Sequence, residues 1–247
     1  MYNRRMIKNI FFDMDGTLID CEIDKFIPPY KTALVRKFAY HPNCAGIVRA
    51  IIMESVKAML ANDGSHTIRE AFIEYVRSCD SLGVTAEELE NAMTDFYNEQ
   101  YLGLKSVVNP KPVMAEAVKV LKDKGYRLVV TTNPLFPLVA LLRRLEWGGH
   151  KPEYFEFVTS YETSRYCKPD VRYYKQIIES LGIKPEETLI VGNDRREDVH
   201  AGKEAGLRAY YLTDTPIDNG TGTLPPDYKG NSNDFLEFVR SLPKVLK

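Results

Sequence analysis

The run Ile10-Phe11-Phe12-Asp13-Met14-Asp15-Gly16-Thr17 constrains this chain more than any other stretch. Consecutive apolar residues ask for burial on both faces, as in a central strand covered by helices. Asp13 and Asp15 follow at once, two apart. A strand sets alternate residues on one side, so a strand carried past its end aims both carboxylates at one spot. Like charges that close repel unless a cation or a shared proton offsets them. The pair therefore points to a hard metal ion and to carboxylate chemistry. One aspartate can attack phosphorus as a nucleophile. The other can give a proton to the leaving oxygen and take one from water. The competing reading is an ordinary strand-end turn, where Asp and Gly are common for backbone reasons.

Further short apolar, β-branched runs alternate with helical patterns. Strands are expected at 7–12, 126–132, 155–159, 188–192 and 207–212. Helices are expected at 113–124, 137–145, 171–181 and 196–205, with Gly125, Gly182 and Gly206 as stops. This alternation predicts an α/β fold with a doubly wound parallel sheet. Residues 22–108 break it. Their pattern is helical at 29–39, 45–61, 68–78 and 86–101, and Thr85 with Glu88 reads as a capping box. That length is too great for a crossover and predicts an inserted helical domain. The expected division is 1–21 with 109–247 as the core and 22–108 as the insertion. Asn109-Pro110-Lys111-Pro112 reads as the return hinge and 20–28 as the outgoing one. Residues 214–230, rich in Gly, Pro, Thr and Asp, read as a surface loop, and 234–242 as a short terminal helix.

Composition excludes several classes. The 247 residues carry 33 basic and 34 acidic side chains, a net charge of -1. No basic field invites nucleic acid. No apolar stretch is long enough to span a membrane, and the N-terminal apolar run is too short for a signal peptide. Cys21, Cys44, Cys79 and Cys167 lack CxxC spacing and read as reduced thiols of a cytoplasmic protein. A monomer or a homodimer is expected, with a small molecule as partner.

Three more stations follow the aspartate pair. Thr131-Thr132-Asn133 ends an expected strand, where a hydroxyl and backbone amides can hold phosphoryl oxygens. Threonines also simply favour strands. Lys168 precedes an expected helix, where it can neutralise a nucleophile and a phosphate, although a lone lysine is most often solvated. Asp194 and Asp198 stand four apart after the 188–192 strand, within one helical turn of each other. Asp194 could equally be an N-cap. Glu197 is an alternative acid whose spacing fits less well. Each station lies at the carboxyl edge of an expected strand, where open α/β sheets bind ligands.

Taken together, FFDMDGT, VVTTN, CKPD and VGNDRRED resemble, in order, the four motifs of the haloacid dehalogenase (HAD) superfamily. The 161–166 loop lacks a glycine often found there, and Asn193 stands between Gly192 and the first acid. The resemblance implies a Rossmann-like core, a helical cap between the first two motifs, and a tight turn with a small hairpin at about 16–27. It favours Thr132 over Thr131, with Asn133 and Lys168 beside it as phosphate-binding residues. It also implies Mg2+ held by Asp13, the Asp15 carbonyl, Asp194 and Asp198. The expected activity is a Mg-dependent phosphohydrolase of a small phosphorylated metabolite, with Asp13 as nucleophile. Retention of Asp15 favours phosphoryl transfer over dehalogenation, since a halide needs no acid. A phosphomutase and a non-catalytic phosphate-binding or regulatory protein of the same fold are the alternatives. Among the cap charges, Arg36, Lys37, His41, His66, Arg69 and Arg77 are expected mostly in solvent.

Overall fold

The structure, a computed structural model, describes residues 7–245. Its centre is a six-stranded sheet. Strand β1 (Asn9–Phe12) lies between β4 (Arg127–Val130) and β6 (Thr188–Gly192). Beyond β4 comes β5 (Phe157–Val158), and beyond β6 come β7 (Arg208–Leu212) and β8 (Tyr228–Gly230). Every neighbouring pair is parallel. The chain thus builds one side of the sheet, then crosses back past β1 to build the other. That reversal opens a crevice at the carboxyl ends of β1, β4 and β6.

Alternation along the strands fills two faces. Phe11, Val129, Ile190 and Ala209 point into a cluster with Tyr173, Tyr174, Ile177 and Val199. Ile10, Phe12, Leu128, Val130, Leu189 and Val191 point the other way, into a larger cluster. Helices α6 (Pro112–Asp123), α7 (Leu138–Trp147) and α10 (Ser232–Ser241) supply that second face, and α8 (Val171–Ser180) covers the first. Two-faced burial explains why β1, β4 and β6 read as continuous apolar runs.

Between β2 (Ile19–Asp20) and β3 (Asn109–Pro110) lie the helices α1 (Ile23–Phe38), α2 (Cys44–Arg49), α3 (Ser55–Leu60), α4 (Ile68–Arg77) and α5 (Ala86–Asn98). β2 and β3 pair antiparallel, Asp20 opposite Asn109, so the outgoing and returning chains are tied together. The tight turn after Asp13 is present, with Leu18 and Ile19 amides both donating to the Met14 carbonyl. The expected local hairpin at 16–27 is not. β2 finds its partner some ninety residues later, a non-local pairing that no short-range pattern reveals.

Other boundaries move for physical reasons. The expected 45–61 helix is interrupted by a π-helical turn, Ala50–Glu54. The expected 86–101 helix ends at Asn98 and continues as 3-10 turns over Gln100–Val107. α1 starts at Ile23, ahead of the expected Pro29, and carries Pro28 and Pro29 inside it, beyond the first turn, so the helix forgoes the two backbone bonds their missing N–H groups would have made. The expected 196–205 helix is a π turn, Arg195–His200, followed by the short α9 (Ala201–Glu204). Residues 214–230 are not simply a surface loop: they end in β8, whose Tyr228 packs on Tyr210 and Phe238. Among the described residues no helix is long and apolar enough to cross a membrane, and the four cysteines are all free thiols.

Candidate active site

Asp13 leaves β1 with its amide bonded to the Val191 carbonyl at 2.9 Å, which fixes it at the sheet's switch point. Its carboxylate Oδ1 accepts from Lys168 Nζ at 2.9 Å. Lys168 is almost fully buried and donates a second bond, 2.6 Å long, to Asp198 Oδ1. Burial would lower the lysine's pKa, but Asp13 and Asp198 outweigh it and hold the ammonium well above its usual value. Burial pushes the Asp198 carboxyl up, against the pull of Lys168 and with Asp13 adding to it.

The π turn after β6 arranges the fourth station. Asp194 caps it, Oδ1 accepting from the Arg196 and Glu197 amides at 2.7 Å each. The Asp194 amide donates to Asp198 Oδ2 at 3.0 Å. Both Asp198 oxygens are therefore engaged, one by lysine and one by backbone. A Cβ on Gly192 would collide with the Asp198 carboxylate, which is why glycine ends this strand. Asn193, which stands between Gly192 and Asp194, is buried. It accepts from Thr17 Oγ1 at 3.3 Å and donates to the Thr215 carbonyl at 2.7 Å. Its side chain thus ties the start of the π turn to Thr17 and to the Thr215 segment.

Asp13, Asp15, Thr132, Asn133, Asp194 and Asp198 all line one cavity of about 570 Å³. Thr132 is on its wall and Thr131 is not. Tyr173 OH and Thr159 Oγ1 donate to the Thr132 carbonyl at 2.7 and 2.9 Å, holding that loop in place. Lys168 reaches Asp13 from behind the wall.

Several residues of the site escaped the sequence reading. Arg144 of α7 is 1% exposed and donates to Asp15 Oδ1 and to Cys21 Sγ. Its guanidinium lies 4.7 Å from the centre of the Phe26 ring, a cation–π contact. Burial raises the Asp15 pKa, with Arg144 opposing and Asp13 adding. The signal was available: Ala140, Leu141, Arg144 and Leu145 form one buried helical face, so Arg144 is a charge where period 3.6 calls for a hydrophobe. Glu197, already named from the sequence as an alternative acid, lines the cavity too, and burial, with Asp194 and Asp13 adding and Lys168 opposing, raises its pKa. Thr215, Pro216 and Ile217 close one side of the cavity. They are tied down by Ile217 N donating to the Asn193 carbonyl at 2.8 Å and Thr215 Oγ1 to the Gly16 carbonyl at 3.2 Å. The 214–230 segment thus belongs to the site as well as to the sheet.

The inserted helices also grip the third station. The α4 amides of Ile68 and Arg69 donate to the Ser164 and Tyr161 carbonyls at 2.8 Å each. Arg165 returns a bond to Ser65 O at 2.8 Å. The expected cap charges stay outside the cavity: Lys37 pairs with Asp95, His66 with Glu74 and Arg69 with Glu90. Asp20 is exposed and absent from the cavity wall.

Among the described residues no three His, Cys, Asp or Glu side chains converge as a metal cage. Hard oxygens do face the same cavity from Asp13, Asp194 and Glu197. That fits a cation such as magnesium, which takes one or two carboxylates and keeps waters.

A sequence profile of the haloacid dehalogenase-like hydrolases matches residues 7–206. The chain belongs to this family of hydrolases. It is 30% identical over 210 residues to phosphoglycolate phosphatase 1 of Pseudomonas aeruginosa, covering 85% of this chain and 70% of that one. It is 29% identical over 237 residues to phosphoglycolate phosphatase of Aquifex aeolicus, covering 93% and 99%. In fold it is similar to a HAD phosphatase from Thermococcus onnurineus, with a TM-score of 0.62 at 19% identity, covering 97% of this chain and 100% of that one. The chain is thus an enzyme of the family, and its curated relatives are named phosphatases.

Proposed function

We propose that the protein hydrolyses phosphate monoesters of small metabolites, with magnesium, through an aspartyl-phosphate formed on Asp13. The observation that carries this reading is the Lys168 bridge between Asp13 and Asp198, with Asp15 on the same cavity wall. Lys168 holds Asp13 Oδ1, which leaves Oδ2 as the attacking oxygen. Oδ2 forms a bond to phosphorus while the ester P–O bond breaks, and Asp15 gives its proton to the leaving alkoxide. Asp15 then takes a proton from the water that attacks phosphorus, and the Asp13 carboxylate departs. Thr132 and the amides around Asn133 position the phosphoryl oxygens, and Lys168 holds Asp13 in place and offsets the charge that returns to it when it departs. Asp13, the Asp15 carbonyl and Asp194 would hold magnesium, with Asp198 acting on it through Lys168 and the Asp194 amide. Bound there, magnesium supplies positive charge that polarises the phosphoryl group.

Residues 22–108 would act as a cap over a core made of 1–21 and 109–247, excluding water from the cavity. The free thiols fit a reducing compartment such as the cytoplasm. The test is hydrolysis of para-nitrophenyl phosphate by the purified protein. The expected outcome is nitrophenol release that needs magnesium and stops with a chelator. Release unaffected by the chelator would contradict the magnesium part, and no release from a panel of monoesters would contradict the whole.

A further inference from the structure

A second cavity, of about 220 Å³, adjoins the catalytic one. The two share Ile23, Leu135 and Phe136 on their walls. The remaining wall comes largely from the inserted helices, including Ile27, Ile51, Val56 and Met59. Among the described residues no charged side chain lines it. Two of its hydroxyls, those of Tyr30 and Tyr97, bond to each other at 3.0 Å and so ask little of a ligand. An apolar void of this kind holds water poorly, whereas an apolar cavity of about 150 Å³ suffices for benzene. At the catalytic cavity the buried cations Arg144, on its wall, and Lys168, behind it, are each paired with aspartates. Among the described residues, neither chamber thus presents an unpaired buried cation to a second anionic group.

We infer that the substrate is a monophosphate of an apolar alcohol, alkyl or aryl. The phosphoryl group sits against Asp13, and the hydrocarbon passes Phe136 and Leu135 into the second chamber. This rests on the phosphatase reading and narrows it. It also sets the chain apart from relatives named for phosphoglycolate, whose leaving group carries a carboxylate.

The experiment is a series of n-alkyl phosphates, methyl through hexyl, beside phosphoglycolate, with magnesium. The expected result is a kcat/KM that climbs about fourfold per methylene, the worth of burying one CH2, until the chamber fills, with hexyl phosphate above phosphoglycolate. Val56→Trp and Ile51→Phe, which fill the chamber, should each collapse the hexyl-to-methyl ratio toward one. Reading a ratio between two substrates of one preparation removes any dependence on how much of a variant folds. A flat or falling series in which methyl phosphate is still hydrolysed overturns the inference and leaves the phosphatase reading standing. A climb that both variants leave intact also overturns it. Hydrolysis of none of the esters overturns both.

Discussion

Arg144 and His150 show how single buried groups govern this site and its stability. Arg144 ties Asp15 to α7, so it acts on chemistry through the residue it positions. If Asp15 is the proton donor, its work matters most for poor leaving groups, because nitrophenolate departs without a proton. Arg144→Met is therefore expected to lower turnover of alkyl phosphates at least tenfold more than that of para-nitrophenyl phosphate, within the range that general acids contribute. An equal loss on both would mark Arg144 as structural only. His150 Nε2 donates to the Leu18 carbonyl, 2.8 Å away, and supports the turn that follows Asp13. Burial lowers its pKa below the ordinary 6.5, with the Leu18 contact opposing. The folded state thus takes a proton less readily than the unfolded chain, and stability is lost as pH falls below about 6.5 toward the lowered folded value. Above that range His150 contributes no slope. His150→Gln removes the titration, so its melting temperature should fall less than the wild type's between pH 7 and pH 5. Parallel falls would refute the assignment.

Elements that follow local rules were legible, and those set by distant partners were not. The Thr85–Glu88 capping box is present, with Glu88 N donating to Thr85 Oγ1 at 3.2 Å and Thr85 N to Glu88 Oε2 at 2.8 Å. A second box at Thr67–Glu70 obeys the same logic. Thr85→Ala should cost about 1 kcal/mol, measured by urea denaturation, and a loss near zero would mean that tertiary packing alone holds α5. By contrast, β8 is three residues long and partly exposed. Its pairing with β7 is a tertiary event, hidden in a Gly- and Pro-rich segment. The π turns at Ala50–Glu54 and Arg195–His200 left no trace in periodicity because each spans only five or six residues. The second one has a visible cause, since it lets Asp198 reach both Lys168 and the Asp194 amide.

At the scale of the whole molecule, the four short motifs lie far apart in sequence and meet at one edge of the sheet. Asp13, Lys168 and Asp198 are joined in a buried chain of hydrogen bonds across 155 and 30 residues of sequence. That convergence was readable because each motif ends or follows a strand, and parallel strands bring their carboxyl ends together. What the sequence could not disclose is how the inserted helices meet the core. Tyr101 of the insertion stacks on Trp147 of α7 at 5.4 Å, and Phe26 packs on Phe136 at 6.0 Å. Of these rings Phe136 lies on the wall of both chambers. The central claim is that phosphate passes through Asp13. Rapid acid quench during turnover of a monoester, followed by peptide mass mapping, tests it most directly. The account predicts one added phosphoryl group on the peptide that carries Asp13, absent in Asp13→Asn. Steady turnover with no such adduct, or turnover retained in Asp13→Asn, would contradict it.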